Sequence, residues 1–515
     1  MRAKSRKTPV ALAGSLAVAF AGVLLAALVV ANPAAAQFRG GGFGRVGGFA
    51  RPAPGFRAIV RGAKLRPVVL PRRGGNRLAN LPRAGRRPPS QGGDSGRHRR
   101  IGIGGGEVGV TSASAVATRA SGSGGAGGGN SGGMPPHGEN RFVANEVIVQ
   151  FAANTSMRAI GRLARAYNLA ELESQNFPLI GASLWRWRVG GRRTVRSVLG
   201  ALRNQGIVAG AQPNYIFTLE NEVAAVLGAP GDPAQYVLDK LQARQAQLIA
   251  TGKNVSVAVI DSQIDAHHPD LGGSIVKSFD ALGGAAAAQS HGTEMAGAIA
   301  AHGKLLGIAP GVQLLAARAF DAHSNGTSFS VYKSLQWAAD NGARIINMSF
   351  AGPPDPTMQR LLSAAAAKDI VLVAAAGNGG PQSPPLYPAA DAGVIAVAAT
   401  DADDRLFRMT NRGRYIAVAA PGVDILALAP GDTYALTTGT SVAAAHVSAI
   451  AALLLQHDSK LNPADIRSIL MASARPVEIA GPHADFDPRR VNAYKAVTWP
   501  VETAGSQAVP AQARR

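Results

Sequence analysis

From about residue 236 onward, uninterrupted apolar runs of strand length alternate with stretches of helical length. The strand candidates are 255-VSVAVID-261, 312-VQLLAARAF-320, 344-RIINMSF-350, 369-DIVLVAAAGN-378, 393-GVIAVAAT-400 and 415-YIAVAAPG-422. The helix candidates between and after them cover 293–302, 327–342, 356–369, 441–458 and 463–474. A strand that is apolar at successive positions is buried on both faces. Strands of that kind alternating with helices predict an α/β fold, a parallel sheet covered by helices on both sides. In such sheets the functional groups collect at the carboxyl ends of the strands.

The chain ahead of this region divides by composition. Residues 1–36 begin with Arg2, Lys4, Arg6 and Lys7, continue through a long apolar run and reach Ala34-Ala35-Ala36. That order is that of an export signal with a small-residue cleavage site, although the run is long enough to leave a retained membrane anchor open. Residues 37–138 are rich in Gly, Arg, Pro and Ser, as in 121-SGSGGAGGGNSGG-133. Such a composition cannot bury enough apolar surface to offset its ordering entropy, which predicts a disordered segment. Residues 139–220 read as a small domain. A strand at 145-NEVIVQF-151, a helix at 155–169 with Met157, Ile160, Leu163 and Tyr167 on one face, and an alternating strand at 181-GASLWRWRV-189 come first. A helix after Thr194 and an extended 212-QPNYIFTLE-220 complete it. With one more strand near 171–178, this is the β-α-β-β-α-β order of a ferredoxin-like α+β domain. Residues 221–235 are then a linker, 236–500 the large α/β domain and 501–515 a flexible tail.

Charge and cysteine content narrow the chemistry. The formal charge of +22 is confined to the first 220 residues, because 221–515 carry −2. A basic patch therefore does not define the large domain, and no specific nucleic-acid partner is expected. There is no Cys, so disulfides, thiolate metal sites and a cysteine nucleophile are all excluded.

One short stretch, 438-TGTSVAAAH-446, sets Ser441 where an apolar helix starts. A helix-capping Ser is the ordinary reading. As a nucleophile it would need a base, and His446 is unsuitable: five residues along a helix turn it about 140° away from Ser441. Two other candidates lie upstream. His291 opens a small-residue helix at 291-HGTEMAGAIA-300, where Gly292 permits close backbone approach, and Asp261 ends the buried strand 255–261. Asp, His and Ser in that order are the subtilisin-type arrangement.

On these motifs, 261-DSQID-265 with 268-HPDL-271, 291-HGT-293 and 439-GTSVAAAH-446, residues 236–498 resemble the subtilisin-like serine proteases, or subtilases. The resemblance implies an exported serine endopeptidase. Ser441 would attack the scissile carbonyl, His291 would carry its proton and Asp261 would orient the imidazole. It gives Asn378, in 374-AAAGN-378, the role of oxyanion donor. It makes Ser349, Phe350 and Gly352 the edge on which substrate pairs as an added strand, and Ala375, Ala376 and Gly377 the lining of the first specificity pocket. Neither lining segment contains a charge, which favours an apolar side chain before the scissile bond. The ferredoxin-like domain then corresponds to a prodomain, an intramolecular inhibitor removed by self-cleavage in or beside 221–235. Polypeptides are the expected partners, with a membrane only if the apolar leader is retained. No cofactor is expected. Calcium is common in the family, but no acidic cluster with ligand spacing assigns it here.

The sequence departs from the family pattern at Gln263, Ala351, Val442 and Ala445. Gln263 stands where a Gly usually follows Asp-Ser, and could hold Asp261 off its place. Ala351, replacing a Gly, could narrow the substrate edge. The alternative to an active enzyme is a catalytically dead protease fold used as a binding protein, with a basic adhesive segment. A second enzyme alternative, an esterase with a Gly-x-Ser-x-Gly elbow, is disfavoured, since Ser441 is followed by Val-Ala and the second Gly is missing.

Overall fold

The computed structural model describes residues 133–219, 235–478 and 487–500, and the backbone alone of 222–226. The leader at 1–36, nearly all of 37–138, most of the 221–235 linker and the 501–515 tail lie outside the described residues.

The N-terminal domain runs β1 (Phe142–Phe151), α1 (Met157–Tyr167), β2 (Leu169–Phe177), β3 (Ala182–Val189), α2 (Val195–Leu202) and β4 (Val208–Leu219). Its strands pair antiparallel in the order β4-β1-β3-β2, the ferredoxin-like arrangement, and β2 is the extra strand expected near 171–178. Ser156 caps α1, and Thr194 caps α2 as its position in the sequence suggested. Ile160 and Leu163 turn inward onto Trp187, Val189 and Val147, whereas Met157, at the first helical position, is exposed.

The large domain follows. A strand β5 (Glu222–Val226) precedes α3 (Tyr236–Leu241) and α4 (Ala243–Gln247). Then come β6 (Ser256–Asp261), β7 (Ile275–Asp280), α5 (Ser290–Ala300), β8 (Gln313–Arg318), β9 (Asn325–Thr327) and α6 (Ser328–Asp340). The chain continues through β10 (Ile345–Met348), β11 (Phe350–Ala351), α7 (Pro356–Ala366), β12 (Val371–Ala375), β13 (Val394–Thr400) and β14 (Ile416–Pro421). It closes with a hairpin β15 (Ile425–Ala429) and β16 (Thr433–Thr438), helices α8 (Thr440–His457) and α9 (Pro463–Ala472), short strands β17 (Arg475–Pro476) and β18 (Arg489–Arg490), and α10 (Ala493–Val497).

The central sheet has the order β17-β18-β14-β13-β12-β10-β6-β8-β7, and is parallel from β7 to β18. Its strands are buried on both faces, as their sequences require. Val257 and Val259 pack with Val371, Val373 and the apolar side chains of α5 and α8, while Ala258 and Ile260 face Ile346, Met348 and the cluster around α6 and α7. Helix ends follow capping chemistry: Asp355 accepts from Thr357 and Met358 N–H groups with Pro356 at the first turn, and Asn462 does the same ahead of Pro463. The expected helices all form. The sequence reading passed over β7, whose residues are mostly half-exposed or exposed at the sheet edge, and the β15–β16 hairpin.

The outer face of the N-terminal sheet is not a solvent face. Arg186, which alternates with Trp185 and Trp187 along β3, lies with its guanidinium 5.7 Å from the centre of the Phe329 ring of α6 and pairs with Glu146 and Glu173. Ile148, Phe177, Leu184, Tyr215 and Phe217 share one apolar cluster with α6 and α7. Within it, Gln212 donates to Asp355 and to the Tyr332 hydroxyl, both at 2.9 Å, and Asn214 accepts from Phe329 N at 3.2 Å, close to the start of α6.

The last residues of β4 leave their own sheet and pair with the large domain. Ile216, Phe217 and Thr218 oppose Thr327, Gly326 and Asn325 of β9, while Thr218 and Leu219 oppose Ala351 and Phe350 of β11. Phe217 is the anchor of this contact: it is fully buried, meets the Phe350 ring edge-on at 5.9 Å, and occupies space that a side chain at Gly352 would need. Truncating a buried Phe to Ala typically costs about 3–5 kcal/mol. In the intact chain, Phe217→Ala should therefore speed amide exchange across residues 216–219 and leave β6, β10 and β12 unchanged. Unaltered exchange at 216–219 would mean that the backbone pairing, not the Phe, holds the strand.

Candidate active site

Four elements deliver side chains to the carboxyl edge of the central sheet. Asp261 is the last residue of β6, Asn378 follows the end of β12, His291 is in the first turn of α5 and Ser441 in the first turn of α8. The sequence reading made Ser441 a capping residue as well. In the structure the cap position falls on Gly439 and Ser441 is the second helical residue, so its oxygen makes no cap. Helix α8 is apolar on all sides. It is long and apolar enough to cross a membrane, yet it is almost wholly buried within this domain, the pattern of a core helix.

Asp261 and His291 are joined. His291 Nδ1 lies 2.7 Å from Asp261 Oδ1, which also accepts the Ser262 N–H at 2.7 Å. The Ser262 hydroxyl in turn accepts from Gly292 N at 3.0 Å, and a Cβ on Gly292 would stand 2.6 Å from the Ser262 carbonyl oxygen. The α5 start can approach β6 this closely only because residue 292 is Gly. Gln263 does not disturb the pair. It is not among the residues with positive φ, and its side chain donates to the Ile264 carbonyl.

Ser441 is buried, and its hydroxyl donates to the Ser349 carbonyl at 3.2 Å. His291 Nε2 is buried without a hydrogen bond, so the structure joins Asp261 to His291 and places Ser441 at the same edge without an Nε2–Oγ bond. His446 plays no part. Its Nδ1 donates to the Pro421 carbonyl at 2.9 Å, and burial lowers its pKa to about 4 against a small opposing effect of that bond.

Asn378 is oriented by Thr440, a residue the sequence reading quoted in its motif without giving it work. Thr440 N and Oγ1 both donate to Asn378 Oδ1 at 3.0 Å, and Thr440 Oγ1 accepts from Gly377 N at 3.1 Å. These bonds fix which end of the amide is oxygen, leaving Nδ2 as a donor on the side away from Thr440. Ser349 Oγ donates to the Ser441 carbonyl at 2.9 Å, tying the substrate edge to α8. Phe350 and Ala351 form β11, on which β4 is paired, so Ala351 admits an added strand. Gly352 lies under the Phe217 ring, and Ala375, Ala376 and Gly377 run from the end of β12 towards Asn378. The structure thus joins Asp261 to His291, and around the start of α8 links Ser349, Ser441, Gly377 and Asn378. Among the described residues there is no group of three or more His, Cys, Asp or Glu able to hold a metal ion.

The comparisons agree with this geometry. The model of the subtilase family matches residues 252–496, and that of the fervidolysin N-terminal prodomain matches 130–214. A thermophilic serine proteinase of Bacillus sp. (strain AK1) is 33% identical over 376 residues, covering 70% of this chain and 90% of the relative. Thermitase of Thermoactinomyces vulgaris is 36% identical over 282 residues, 52% of this chain and 99% of the relative. The chain belongs to the subtilase family. The crystal structure of fervidolysin from Fervidobacterium pennivorans, described as a keratinolytic enzyme related to subtilisin, superposes with a TM-score of 0.60 at 26% identity. The match covers 70% of this chain and 62% of that one. The chain is a subtilisin-like serine peptidase with an N-terminal prodomain, and β4 of that prodomain pairs with its β11.

The electrostatics of His291 involve a residue that no sequence motif marked. Burial favours the neutral imidazole, but the Asp261 charge and hydrogen bond outweigh it, with Glu294 adding to them, so the net pKa is raised. Glu294 lies one turn along α5, is fully buried and accepts from Thr437 Oγ1 at 2.9 Å. A general base must be unprotonated, so a raised pKa moves the acid limb of activity upward. Glu294→Gln removes one of the charges that raise it. The acid limb of kcat/KM against pH should then shift to lower pH, and a shift to higher pH would contradict this reading of Glu294.

Proposed function

We propose that this chain is the zymogen of an exported serine endopeptidase that uses Asp261, His291 and Ser441 as a triad and Asn378 as oxyanion donor. The reading rests above all on the Asp261–His291 hydrogen bond of 2.7 Å at the strand edge that also carries Ser441 and Asn378. His291 Nε2 accepts the Ser441 proton as Oγ attacks the scissile carbonyl, then donates it to the leaving amine; Asp261 keeps the proton of Nδ1 in place and stabilises the imidazolium. The Asn378 Nδ2 donor stabilises the oxyanion as it forms. Water then repeats the sequence on the acyl-enzyme. The positive leader at 1–36 supports export.

Self-processing follows from the path of the chain. The pairs Thr218↔Ala351 and Leu219↔Phe350 bring the described end of β4 to the residue after Ser349, whose carbonyl accepts from Ser441. On the far side, Glu222 and Val223 pair with Thr438 and Thr437, just ahead of α8. We therefore assign self-cleavage to the chain that follows Leu219, in or beside the linker at 221–235 expected to hold or adjoin the site. The β4 end then remains as a product-like inhibitor until the prodomain is degraded.

Purified full-length protein should hydrolyse casein after processing, react with a fluorophosphonate at Ser441, and show a new N-terminus within about residues 220–235 by mass spectrometry. Ser441→Ala should abolish all three; the corresponding loss in subtilisin itself is on the order of 10⁶ in turnover. Asn378→Ala should lower kcat, by roughly 10²–10³ on subtilisin's own precedent, with little change in KM. Casein hydrolysis by Ser441→Ala at the parent rate would sink the triad assignment.

A further inference from the structure

We propose that the helical face of the prodomain docks on an anionic lipid bilayer, and so holds the zymogen at the membrane surface until self-cleavage frees a nearly neutral enzyme. The docking half goes beyond the function proposed above and does not depend on it; the release half rests on it.

The prodomain sheet is covered on both sides. The catalytic domain takes one face, through Ile148, Phe177, Leu184 and Tyr215. Helices α1 and α2 take the other, through Ile160, Leu163, Val198 and Leu199. The outer surface of those helices carries one sign of charge. The segments 152–168 and 190–208, which contain them, hold seven Arg and no Lys, Asp or Glu. The described acids of the domain lie elsewhere: Glu139 pairs with Arg141, Glu146 and Glu173 pair with Arg186, and Glu171 is on β2.

On α1 the cations form a row. At 100° per residue, Arg158, Arg162 and Arg165 fall within about 60° of one another, opposite the buried Ile160 and Leu163. All three are exposed, and among the described residues none has an ion-pair partner. Arg192 and Arg193, also exposed, continue the row at one end: the Arg193 guanidinium lies 5.4 Å from the centre of the ring of Tyr167, the last residue of α1. Met157, 66% exposed, adjoins Arg158 at the other end. An apolar side chain among cations suits a surface of charged headgroups over acyl chains.

Stability does not explain this row. Like charges four residues apart on a helix repel, and Arg158 lies in the first turn, at the positive end of the helix dipole. A helix that had only to be solvated would gain from mixing signs. Arg throughout, with no Lys, suits phosphate groups, which a guanidinium meets with two parallel hydrogen bonds. The rest of the chain points to phosphate on a membrane. The leader at 1–36 has the order of a segment that meets the bilayer, whether cleaved or retained. Residues 37–138, which join it to the prodomain, carry 17 Lys or Arg against Asp94 and Glu107, whereas 221–515 carry −2. Cleavage in the chain that follows Leu219 therefore separates attachment from activity.

The test uses residues 37–515, which keep every described residue, with Ser441→Ala to prevent processing. Vesicles of equal parts phosphatidylcholine and phosphatidylglycerol should pellet this protein at low salt, and vesicles of phosphatidylcholine alone should not. High salt should release it, because exposed charges are screened. Arg158→Gln, Arg162→Gln and Arg165→Gln together should weaken binding roughly 100-fold, from about fivefold for each Arg near an anionic surface. The same three changed to Lys should keep most of the binding. The Gln variant loses repulsion within α1, so its thermal midpoint should not fall, which separates lost docking from unfolding. With the active parent, casein-hydrolysing activity should appear in the supernatant while unprocessed chain stays in the pellet. Equal pelleting by both vesicle types, or undiminished binding of the Gln variant, overturns the docking face. Tighter binding to duplex DNA than to the anionic vesicles at the same salt makes the partner a nucleic acid and also overturns it. Active enzyme that remains in the pellet overturns the release half. A parent that never becomes active removes the peptidase reading and the release half with it, while the vesicle result still decides the docking.

Discussion

The half of the candidate active site that carries Ser441 and Asn378 is referenced to the buried start of helix α8. Its Thr440 hydroxyl holds Gly377 N and Asn378 Oδ1, its Ser441 carbonyl accepts from Ser349 Oγ, and further along Ser448 donates to Asn347 at 2.9 Å. Helix and strand ends are thus bolted to one another by side chain–backbone bonds in a dry interior, where each such bond is costly to leave unmade. An apolar helix buried on every side cannot rotate to expose another face without losing core contacts, so the oxygen it carries is held in place by the packing of the whole domain.

Asp261 and His291 reach the same edge from the other half of the sheet, and their placement depends on a close approach. Gly292 lies against the Ser262 carbonyl with no room for a side chain, and Ser262 returns a hydroxyl to Gly292 N. Buried charge is stabilised there by specific partners. Asp261 Oδ1 takes two donors and Glu294 takes the Thr437 hydroxyl, so the carboxylates stay useful to the imidazole while sheltered from water.

The prodomain uses the same physics as a substrate would, with additional anchoring. Its β4 supplies a strand to β9 and β11, Phe217 fills the space above Gly352, and behind these the sheet covers α6 and α7 through Gln212, Asn214 and Arg186. The strand contact alone would be that of a peptide; the second contact, remote from β11, adds the anchoring that the inhibitor role proposed for this domain requires.

Local pattern and composition decided much of this. Continuous apolar strands between helices fixed a doubly covered parallel sheet, because such strands have no face to give to water. Asp261, His291, Ser441 and Asn378 were each visible at the end of a strand or the start of a helix, and the triad motifs stand in one order along the chain. What the tertiary structure decided were the relations that pair distant residues. Thr440 orients Asn378 across a gap of 62 residues, and Gln263 leaves Asp261 in place. Arg186 turns onto Phe329, a relation the strand pattern leaves open because a period of two says which residues share a face but not what covers it. Asn411 accepts from Gly379 N across a gap of 32 residues. A pocket is lined by segments that meet only when the sheet closes, so its polarity belongs to the fold and not to any one stretch of chain.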